Sequence, residues 1–221
     1  MLVLMSMETT TESTSKESAS RTRRERNAHG SGQRLRQELM DAADRLLAAG
    51  ATPASLSLRA VAREAGVAAP SVYLQFESKD ALIDAVVASR FQQLADTVTA
   101  SLGGETDPAT RLLRGCEAYI AFAQEHPGAY RMIFETINPV LNPDDLTGRA
   151  ALQILVDAVY ACLPAEHASP ERAFVIAIDI WSTMHGMVSL RRAMPGFPWP
   201  DTTEQLVGIF SAYFPHLEHA S

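Results

Sequence analysis

The chain has 221 residues, of which 47% are hydrophobic, and no uninterrupted apolar run approaches twenty residues. This composition favours a soluble globular protein with a substantial core and argues against a membrane protein. The net charge of −7 is unevenly spread, with +2 on residues 1–79 and −9 on residues 80–221, which suits a DNA-facing head on an acidic body.

Motifs for catalysis and metal binding are missing from the sequence. It contains no Gly-x-Ser-x-Gly, phosphate-binding loop or dinucleotide fingerprint, and His216 and His219 lack a partner at metal-ligand spacing. We therefore expect no catalytic residue, no metal and no cofactor. Cys116 and Cys162 form no CxxC pattern, so we expect reduced core thiols in a cytoplasmic protein, a disulfide between them being the alternative.

The chain begins with a segment, residues 1–32, that we predict to be a disordered basic tail. Ser, Thr and Glu dominate residues 6–20, which therefore cannot bury enough apolar surface to fold. Residues 21–36 then carry six arginines against Glu25 alone. Two interpretations stay open: an arm that follows the DNA backbone or enters the minor groove, and a leader that makes no DNA contact.

Residues 33–79 have the pattern of a three-helix head. An apolar stripe predicts the first helix from Gln33 to Ala49. The second helix begins after Ser57, whose hydroxyl can cap it, and its apolar residues recur at i, i+3, i+4 and i+7. These apolar residues are Leu58, Val61, Ala62 and Ala65.

Gly66 ends the second helix, since glycine adopts a left-handed conformation without steric cost. A third, short helix is predicted from about Pro70 to Phe76, with Val72 and Phe76 facing inward at i, i+4. This is the helix-turn-helix pattern, whose second helix fits a DNA major groove. The outward residues of that helix are small, hydroxylated or amide-bearing and can approach bases or phosphates: Ala69, Pro70, Ser71, Tyr73 and Gln75.

Ser78 is predicted to cap a fourth helix that has Lys79 at its start. A lysine is unfavourable at this end of the helix dipole, and a bound DNA phosphate would offset that. The alternative is a generic helical corner with a solvated lysine, because corners of this kind are common.

The remaining helices are predicted from their caps and breaks. Helix 4 runs from about Lys79 to Leu102 and connects the head with the rest of the chain. Helices 5 to 9 span about Asp107–Glu125, Ala129–Thr136, Asn142 to before Pro164, Ser169–Met194 and Asp201–Phe214. No segment alternates with period two, so the sequence predicts an all-α fold of about nine helices.

The run from Arg59 to Val67, followed by Tyr73, Phe76 and Lys79, resembles the DNA-binding domain of TetR-family transcriptional regulators. The likeness extends over three consecutive helices. It implies a dimeric, all-helical, ligand-responsive repressor. It also implies a base or phosphate contact for Arg59, recognition contacts for the outward residues of the third helix, and a phosphate contact for Lys79.

Two segments of the second half resemble one type of TetR-family regulatory domain: His126 to Glu135, and Trp181 followed by His185-Gly186. This implies an internal ligand site and dimerisation through helices 8 and 9. A pocket would draw on large apolar residues with a few polar tips, namely Tyr119, Phe122, Met132, Phe134, Trp181, Met184, His185 and Met187. For each of them the alternative is a place in the ordinary core.

The sequence thus predicts a tail (residues 1–32), a helix-turn-helix DNA-binding domain (33–79) and a helical effector-binding and dimerisation domain (80–221). The predicted function is a homodimeric repressor that binds a pseudo-palindromic double-stranded DNA operator and is released by a small, largely apolar effector. Arg131 is the main basic residue near the proposed pocket, which disfavours a highly anionic effector. The alternatives are a DNA-binding regulator without a small-molecule effector and a transcriptional activator.

Overall fold

The computed structural model describes residues 32–134 and 146–215. Within these ranges the backbone forms nine α-helices and no strand, which confirms the all-α prediction. The helices are α1 (residues 32–48), α2 (Leu58–Glu64), α3 (Ala69–Tyr73), α4 (Lys79–Ser101), α5 (Pro108–Glu125), α6 (Pro127–Phe134), α7 (Leu146–Ala161), α8 (Pro170–Ala193) and α9 (Thr202–Tyr213), with a 3-10 turn at Ala165–His167. The predicted tail up to residue 31 and the predicted start of helix 7 at Asn142 lie outside the described residues.

Side-chain caps set the starts of five helices, as the sequence predicts. In each case a hydroxyl or carboxylate oxygen accepts a hydrogen bond from a backbone N–H in the first turn, which satisfies a donor that has no partner within the helix. The capping residues are Ser57, Ser78, Asp107, Ser169 and Asp201. At Asp107 the hydrogen bonds from Thr110 hold the pKa of the carboxyl below its ordinary value.

The third helix is shorter than predicted, because it ends at Tyr73 instead of about Phe76. Arg36 of α1 holds the chain beyond that point: its Nη1 donates a hydrogen bond to the Gln75 carbonyl oxygen over 2.8 Å. The same guanidinium lies 4.2 Å from the centre of the Phe76 ring, a cation–π contact. The end of the helix is thus fixed by a tertiary contact, which helical periodicity cannot indicate.

The sixth helix begins at Pro127 instead of about Ala129, since proline suits the first turn of a helix. Its first turn packs on the end of α1, where a Cβ placed on Gly128 would lie 3.6 Å from the Cβ of Ala48. This contact brings a helix of the regulatory half against the head.

The head has its own apolar core, formed by α1, α2, α3 and the first half of α4. Its buried members are Leu39, Ala42, Ala43, Leu56, Leu58, Val61, Ala62, Val72, Phe76, Leu82, Ile83, Val86 and Met132. Met132 stands apart in the sequence, because it belongs to α6. Arg90 of α4 also forms a two-pronged ion pair with Asp44 of α1, at 2.6 and 3.2 Å, which fixes α4 to the head.

The second core lies among the remainder of α4 and helices α5 to α9. Phe122, Tyr130 and Phe214 are its largest fully buried side chains. Cys116 and Cys162 lie in this core as free thiols, which confirms the expectation of reduced cysteines. With 23 residues, α4 is about 34 Å long at 1.5 Å per residue, so it can contribute to both cores.

Candidate DNA-binding face and effector cavity

The turn between α2 and α3 has the geometry that the sequence predicts. Gly66 adopts a φ of +69°, a left-handed conformation that strains any residue with a side chain. The N–H of Val67 donates a hydrogen bond to the Ala62 carbonyl oxygen over 2.9 Å. Val67 is partly buried against the head core and fixes the corner between the two helices.

The predicted DNA-contact residues all remain accessible in the structure. Arg59, Pro70 and Tyr73 are exposed, and Ala69, Ser71, Gln75 and Lys79 are partly exposed. Val72 and Phe76 lie on the opposite side of α3 and are buried in the head core, as predicted. One face of the short helix α3 is therefore accessible, and the opposite face packs on the head core.

The sequence pattern misses two residues near this face. Leu74 follows Tyr73 and has 81% of its surface exposed, and an apolar side chain there can contact a thymine methyl group. Its orientation was available from the sequence, since Leu74 lies midway between the inward residues Val72 and Phe76. Arg36 is the second residue that the sequence pattern misses. By charge it belongs to the basic segment, but in the structure its guanidinium bonds to the backbone just after α3.

Basic side chains without an acidic partner surround α3. Among the described residues, Arg59, Arg63 and Lys79 form no ion pair, whereas Arg45 is bound to Glu64 over 2.8 Å. Lys79 is the first residue of α4, where several backbone N–H groups lack a partner within the helix. Unpaired cations beside a helix N-terminus attract phosphate, so the charge around α3 is suited to a DNA backbone.

A cavity of about 280 Å³ lies inside the regulatory half. Helices α4, α5, α7 and α8 supply its walls, together with Phe134 of α6. Four of the eight predicted pocket residues line it: Tyr119, Phe134, Trp181 and Met184. None of the lining residues belongs to the buried core of the head, so the cavity is confined to the second core.

The other four predicted pocket residues lie behind the cavity wall or outside it. Phe122 and Met187 are buried in the regulatory core, and Met132 is buried in the head core. His185 is partly buried, and its ring lies 5.4 Å from that of the lining residue Phe134, centre to centre, while Nδ1 bonds to Tyr130. A part for these four residues in effector binding stays a prediction, since none of them lines the cavity itself.

Three polar side chains form a hydrogen-bonded row that begins at the cavity wall. The hydroxyls of Tyr119 and Tyr130 are 3.1 Å apart, and the Tyr130 hydroxyl lies 2.6 Å from Nδ1 of His185. The direction of donation along the row depends on the tautomer of His185. Burial and the neighbouring Tyr130 raise the pKa of the Tyr119 hydroxyl far above its ordinary value, so this end of the row stays a neutral phenol.

The sequence pattern also misses the wall formed by α7 and the two basic residues of the lining. The α7 residues are Gly148, Arg149, Ala151, Leu152, Ile154, Leu155 and Ala158. Arg111 of α5 and Arg149 are the charged members of the lining, whereas Arg131 is exposed and lies outside it. An apolar stripe indicates that a helix face is covered, but not whether the space in front of it is filled.

The cavity is suited to binding rather than to chemistry. The described residues of its lining include no carboxylate and no histidine. Burial raises the pKa of the Cys116 thiol far above its ordinary value, and a thiol that stays protonated is a weak nucleophile. Among the described residues, no group of three or more His, Cys, Asp or Glu side chains could hold a metal ion.

One side of α8 and α9 leaves apolar surface uncovered. Phe174, Val175 and Val207 are each about half exposed, and a Cβ placed on Gly186 or Gly208 would meet nothing within 4 Å. By length and composition alone α8 could cross a membrane, with a mean hydropathy of 1.4 in its most apolar stretch, of which 39% is buried within the chain. These two helices thus carry more apolar surface than a single chain covers.

A helix-turn-helix head joined to an all-helical body defines a class of DNA-binding transcriptional regulators. Two family models match the chain. "Bacterial regulatory proteins, tetR family" matches residues 39–86, and "Tetracyclin repressor-like, C-terminal domain" matches residues 112–209. The protein belongs to the TetR family, and it is accordingly a DNA-binding transcriptional regulator and not an enzyme.

Individual relatives agree with this assignment. An uncharacterised HTH-type transcriptional regulator of Mycobacterium tuberculosis is 33% identical over 140 residues, which are 62% of this chain and 61% of that protein. The HTH-type transcriptional activator FasR of Mycolicibacterium smegmatis is 30% identical over 122 residues, 54% of this chain and 55% of that protein. The chain thus spans between 55% and 61% of the length of these curated relatives.

Among solved structures, a protein of unknown function from Rhodococcus sp. RHA1 is similar over most of both chains. The TM-score is 0.66 and the sequence identity is 26%, over 81% of this chain and 93% of that chain. The similarity extends well beyond the head, because it includes most of the helices that enclose the cavity.

Proposed function

We propose that the protein is a repressor that binds a pseudo-palindromic operator as a homodimer and releases it when a small molecule fills the cavity. The observation that carries this proposal is the double role of α4. Its first half supplies Leu82 and Val86 to the head core, and its second half supplies Phe91 and Leu94 to the cavity wall. One helix of about 34 Å therefore touches both the DNA-binding head and the effector site.

DNA recognition is assigned to the accessible face of α3. Tyr73 and Leu74 are placed to contact base edges or methyl groups, and Arg59 and Lys79 to contact phosphates. Because α3 has only five residues, one head reads few base pairs. Two heads related by a twofold axis would read a pseudo-palindrome with half-sites ~34–36 Å apart, or a multiple of that distance.

The uncovered side of α8 and α9 is assigned to the dimer interface. Val175, Ser182 and Gly186 share one face of α8, and Val207 and Gly208 adjoin one another on α9. Small residues let two helices approach closely, and an isologous four-helix contact would bury the exposed apolar side chains of both copies.

Substitution of Gly208 tests this interface. Gly208→Arg should leave the single chain folded, because the position is open, and should shift the sedimentation coefficient from dimer to monomer. Gly196→Arg is the matched control, since Gly196 is equally open but lies in the loop between α8 and α9. Dimers that persist in Gly208→Arg would place the interface elsewhere.

Release of DNA requires a connection between the cavity and the head, and α6 provides one beside α4. Within its eight residues, Met132 is buried in the head core, Phe134 lines the cavity, and Tyr130 contacts the wall residue Tyr119. A ligand that binds more tightly when the two heads have the wrong spacing would release DNA by that difference in affinity alone.

The first experiment is fluorescence anisotropy with a labelled duplex from the DNA upstream of the coding region, or from a genomic-fragment selection. Tyr73→Ala should weaken specific binding by about 1–3 kcal/mol, and Lys79→Ala should lower the slope of log K against log salt by ~0.9. Tyr160→Ala is the control, because Tyr160 is similarly exposed but lies on α7. A folded protein that binds no selected fragment better than random DNA would contradict the proposal.

A transcriptional activator is the second candidate, because FasR, the relative with 30% identity, is named as an activator. A reporter gene behind the selected operator separates the two: expression falls with a repressor present and rises with an activator. A regulator without an effector is indicated if no ligand changes DNA affinity. In each case we propose a cytoplasmic location, where the DNA is.

The part of the basic segment that precedes α1, residues 21–31, is proposed as an arm on the DNA. Gly32, the first described residue, lies beside the recognition face, since a Cβ placed on it would be 3.9 Å from Nε2 of Gln75. Removal of residues 1–31 should lower the salt slope by ~0.9 for each phosphate contact that is lost. An unchanged slope would favour the interpretation of this segment as a leader without a DNA contact.

A further inference from the structure

Among the described residues, the charged side chains of the cavity lining have a single sign. Twenty described residues line the cavity, and the charged ones among them are Arg111 and Arg149. Nη1 of Arg111 donates hydrogen bonds to the carbonyl oxygens of Leu102 and Glu105, at 3.4 and 2.9 Å, and so holds the loop before α5. Carbonyl oxygens do not neutralise a guanidinium, so its positive charge remains at the lining.

Arg149 is the cation that remains available for a ligand. It forms no hydrogen bond or ion pair with any described residue, and it is exposed. A guanidinium presents several N–H donors in a planar fork that matches a carboxylate. The exposed end of the cavity therefore carries a group suited to binding one anionic headgroup.

The most deeply buried residues of the lining are uncharged. Leu112, Cys116 and Met184 are almost completely buried, and Tyr119 is 7% exposed. Burial raises the pKa of both the Cys116 thiol and the Tyr119 hydroxyl, so neither group is charged. A charged group of a ligand would lose its hydration beside these residues without compensation, so the apolar part of a ligand is favoured there.

We infer that the effector is an amphipathic anion, with an apolar body in the buried end of the cavity and one carboxylate at Arg149. A volume of about 280 Å³ leaves room for an alkyl body of several methylene groups. This inference rests on the proposed function of the cavity as an effector site and adds the chemical class of the effector.

Neutral and cationic molecules of the same shape fit less well. A neutral alcohol fills the apolar end but leaves Arg149 without an anionic partner, and an alkylammonium ion places a positive charge beside two guanidinium groups. The expected order of affinity is carboxylate, then alcohol, then amine.

The test is isothermal titration calorimetry on the full chain with saturated carboxylic acids of six to sixteen carbons, below their micelle concentrations. Affinity should rise about fourfold for each added methylene and then level off when the cavity is full. Decanoate should bind about twofold to fivefold more tightly than 1-decanol, because Arg149 is exposed, and decylamine should bind least. Equal affinity for decanoate and 1-decanol, or no binding along the whole series, would overturn the inference.

Variants at Arg149 locate the headgroup. Arg149→Met should remove the preference for decanoate over 1-decanol, and Arg149→Lys should retain most of it. Arg149→Glu should reverse the order, so that decylamine binds better than decanoate. Arg114→Met is the control, because Arg114 lies on α5 outside the lining and is paired with Glu105. A preference for decanoate that survives in Arg149→Met would exclude Arg149 as the headgroup site.

DNA binding measured in the same samples tests separately the chemical class of the ligand and the release of the operator by a ligand. Decanoate that binds at Arg149 without changing operator affinity would support the ligand class and contradict effector-driven release. A neutral compound that binds the cavity and releases the operator, while no carboxylate binds, would support release and overturn the ligand class. Circular dichroism of each variant confirms that the helices are retained.

Discussion

The head and the regulatory half both bury an apolar core, but they fill it to different degrees. In the head, thirteen buried residues from five helices and the loop before α2 close around Phe76 and Leu82, and none of them borders the cavity. In the regulatory half, a core with more buried residues encloses about 280 Å³ of empty space. The same kinds of side chain therefore form a core that borders this cavity in one region and a core that does not border it in the other.

The difference agrees with the proposed function. A helix that is to read base edges must be held in one orientation, so packing behind α3 would support DNA recognition. A cavity loses dispersion contacts and costs stability until a ligand restores them, so the proposed effector would stabilise the regulatory core. Four substitutions can break or sharpen this comparison.

The largest effect is expected for Phe76→Ala in the head core. Phe76 is 2% exposed and also lies under the guanidinium of Arg36, so its loss should cost about 3–5 kcal/mol and abolish operator binding. Thermal unfolding by circular dichroism measures the change. Phe197→Ala should have almost no effect, since Phe197 is 52% exposed. A loss below about 1 kcal/mol in Phe76→Ala would show that the head is less tightly packed than described.

The sharpest contrast comes from one substitution made in both cores. Ala62→Leu in the closed head core should destabilise by about 1–3 kcal/mol through overpacking. Ala158→Leu at the cavity should be neutral or stabilising by about 0.5–2 kcal/mol, because the added carbons occupy empty space. Denaturant unfolding gives both values, and Ala158→Leu should also weaken ligand binding. If both substitutions change the free energy of unfolding in the same direction, the two cores do not differ in packing at these positions.

The smallest destabilisation is expected for Tyr130→Phe, which keeps the ring and removes the hydroxyl shared by Tyr119 and His185. Leaving two buried or partly buried partners unsatisfied should cost about 1–2 kcal/mol. Ligand affinity should change little, while the effect of ligand on operator affinity should shrink. Tyr160→Phe, at an exposed position, is the control. If ligand changes the operator affinity of Tyr130→Phe as much as that of the wild type, the hydrogen-bonded row does not transmit ligand binding to the head.

The sequence predicted most of the fold because helix ends depend on local chemistry. Caps such as Ser78 and Asp107 and the left-handed Gly66 occur where their residue types indicate, since each bond is made within a few residues. The end of α3 was wrong for the opposite reason. It depends on Arg36, which lies 39 residues away from its acceptor on Gln75.

The DNA-binding face was also accessible to sequence reasoning, and the cavity was accessible only in part. Tyr73 and Lys79 follow from a short pattern, whereas Leu74 was overlooked although the periodicity turns it outward. The empty space beside Ala158 has no sequence signal, because it depends on the distances between four helices. For the same reason Met132, a large apolar residue on α6, was assigned to the pocket but lies in the head core.

The burial of Met132 in the head has a consequence for chimeric biosensors, which join the DNA-binding part of one regulator to the sensing part of another. A junction after residue 79 would separate Leu82, Ile83, Val86 and Met132 from the core that they complete. The recipient head would then meet four foreign side chains at its centre. A functional graft should exchange the first half of α4 together with the head and match the residue at position 132 to the new partner.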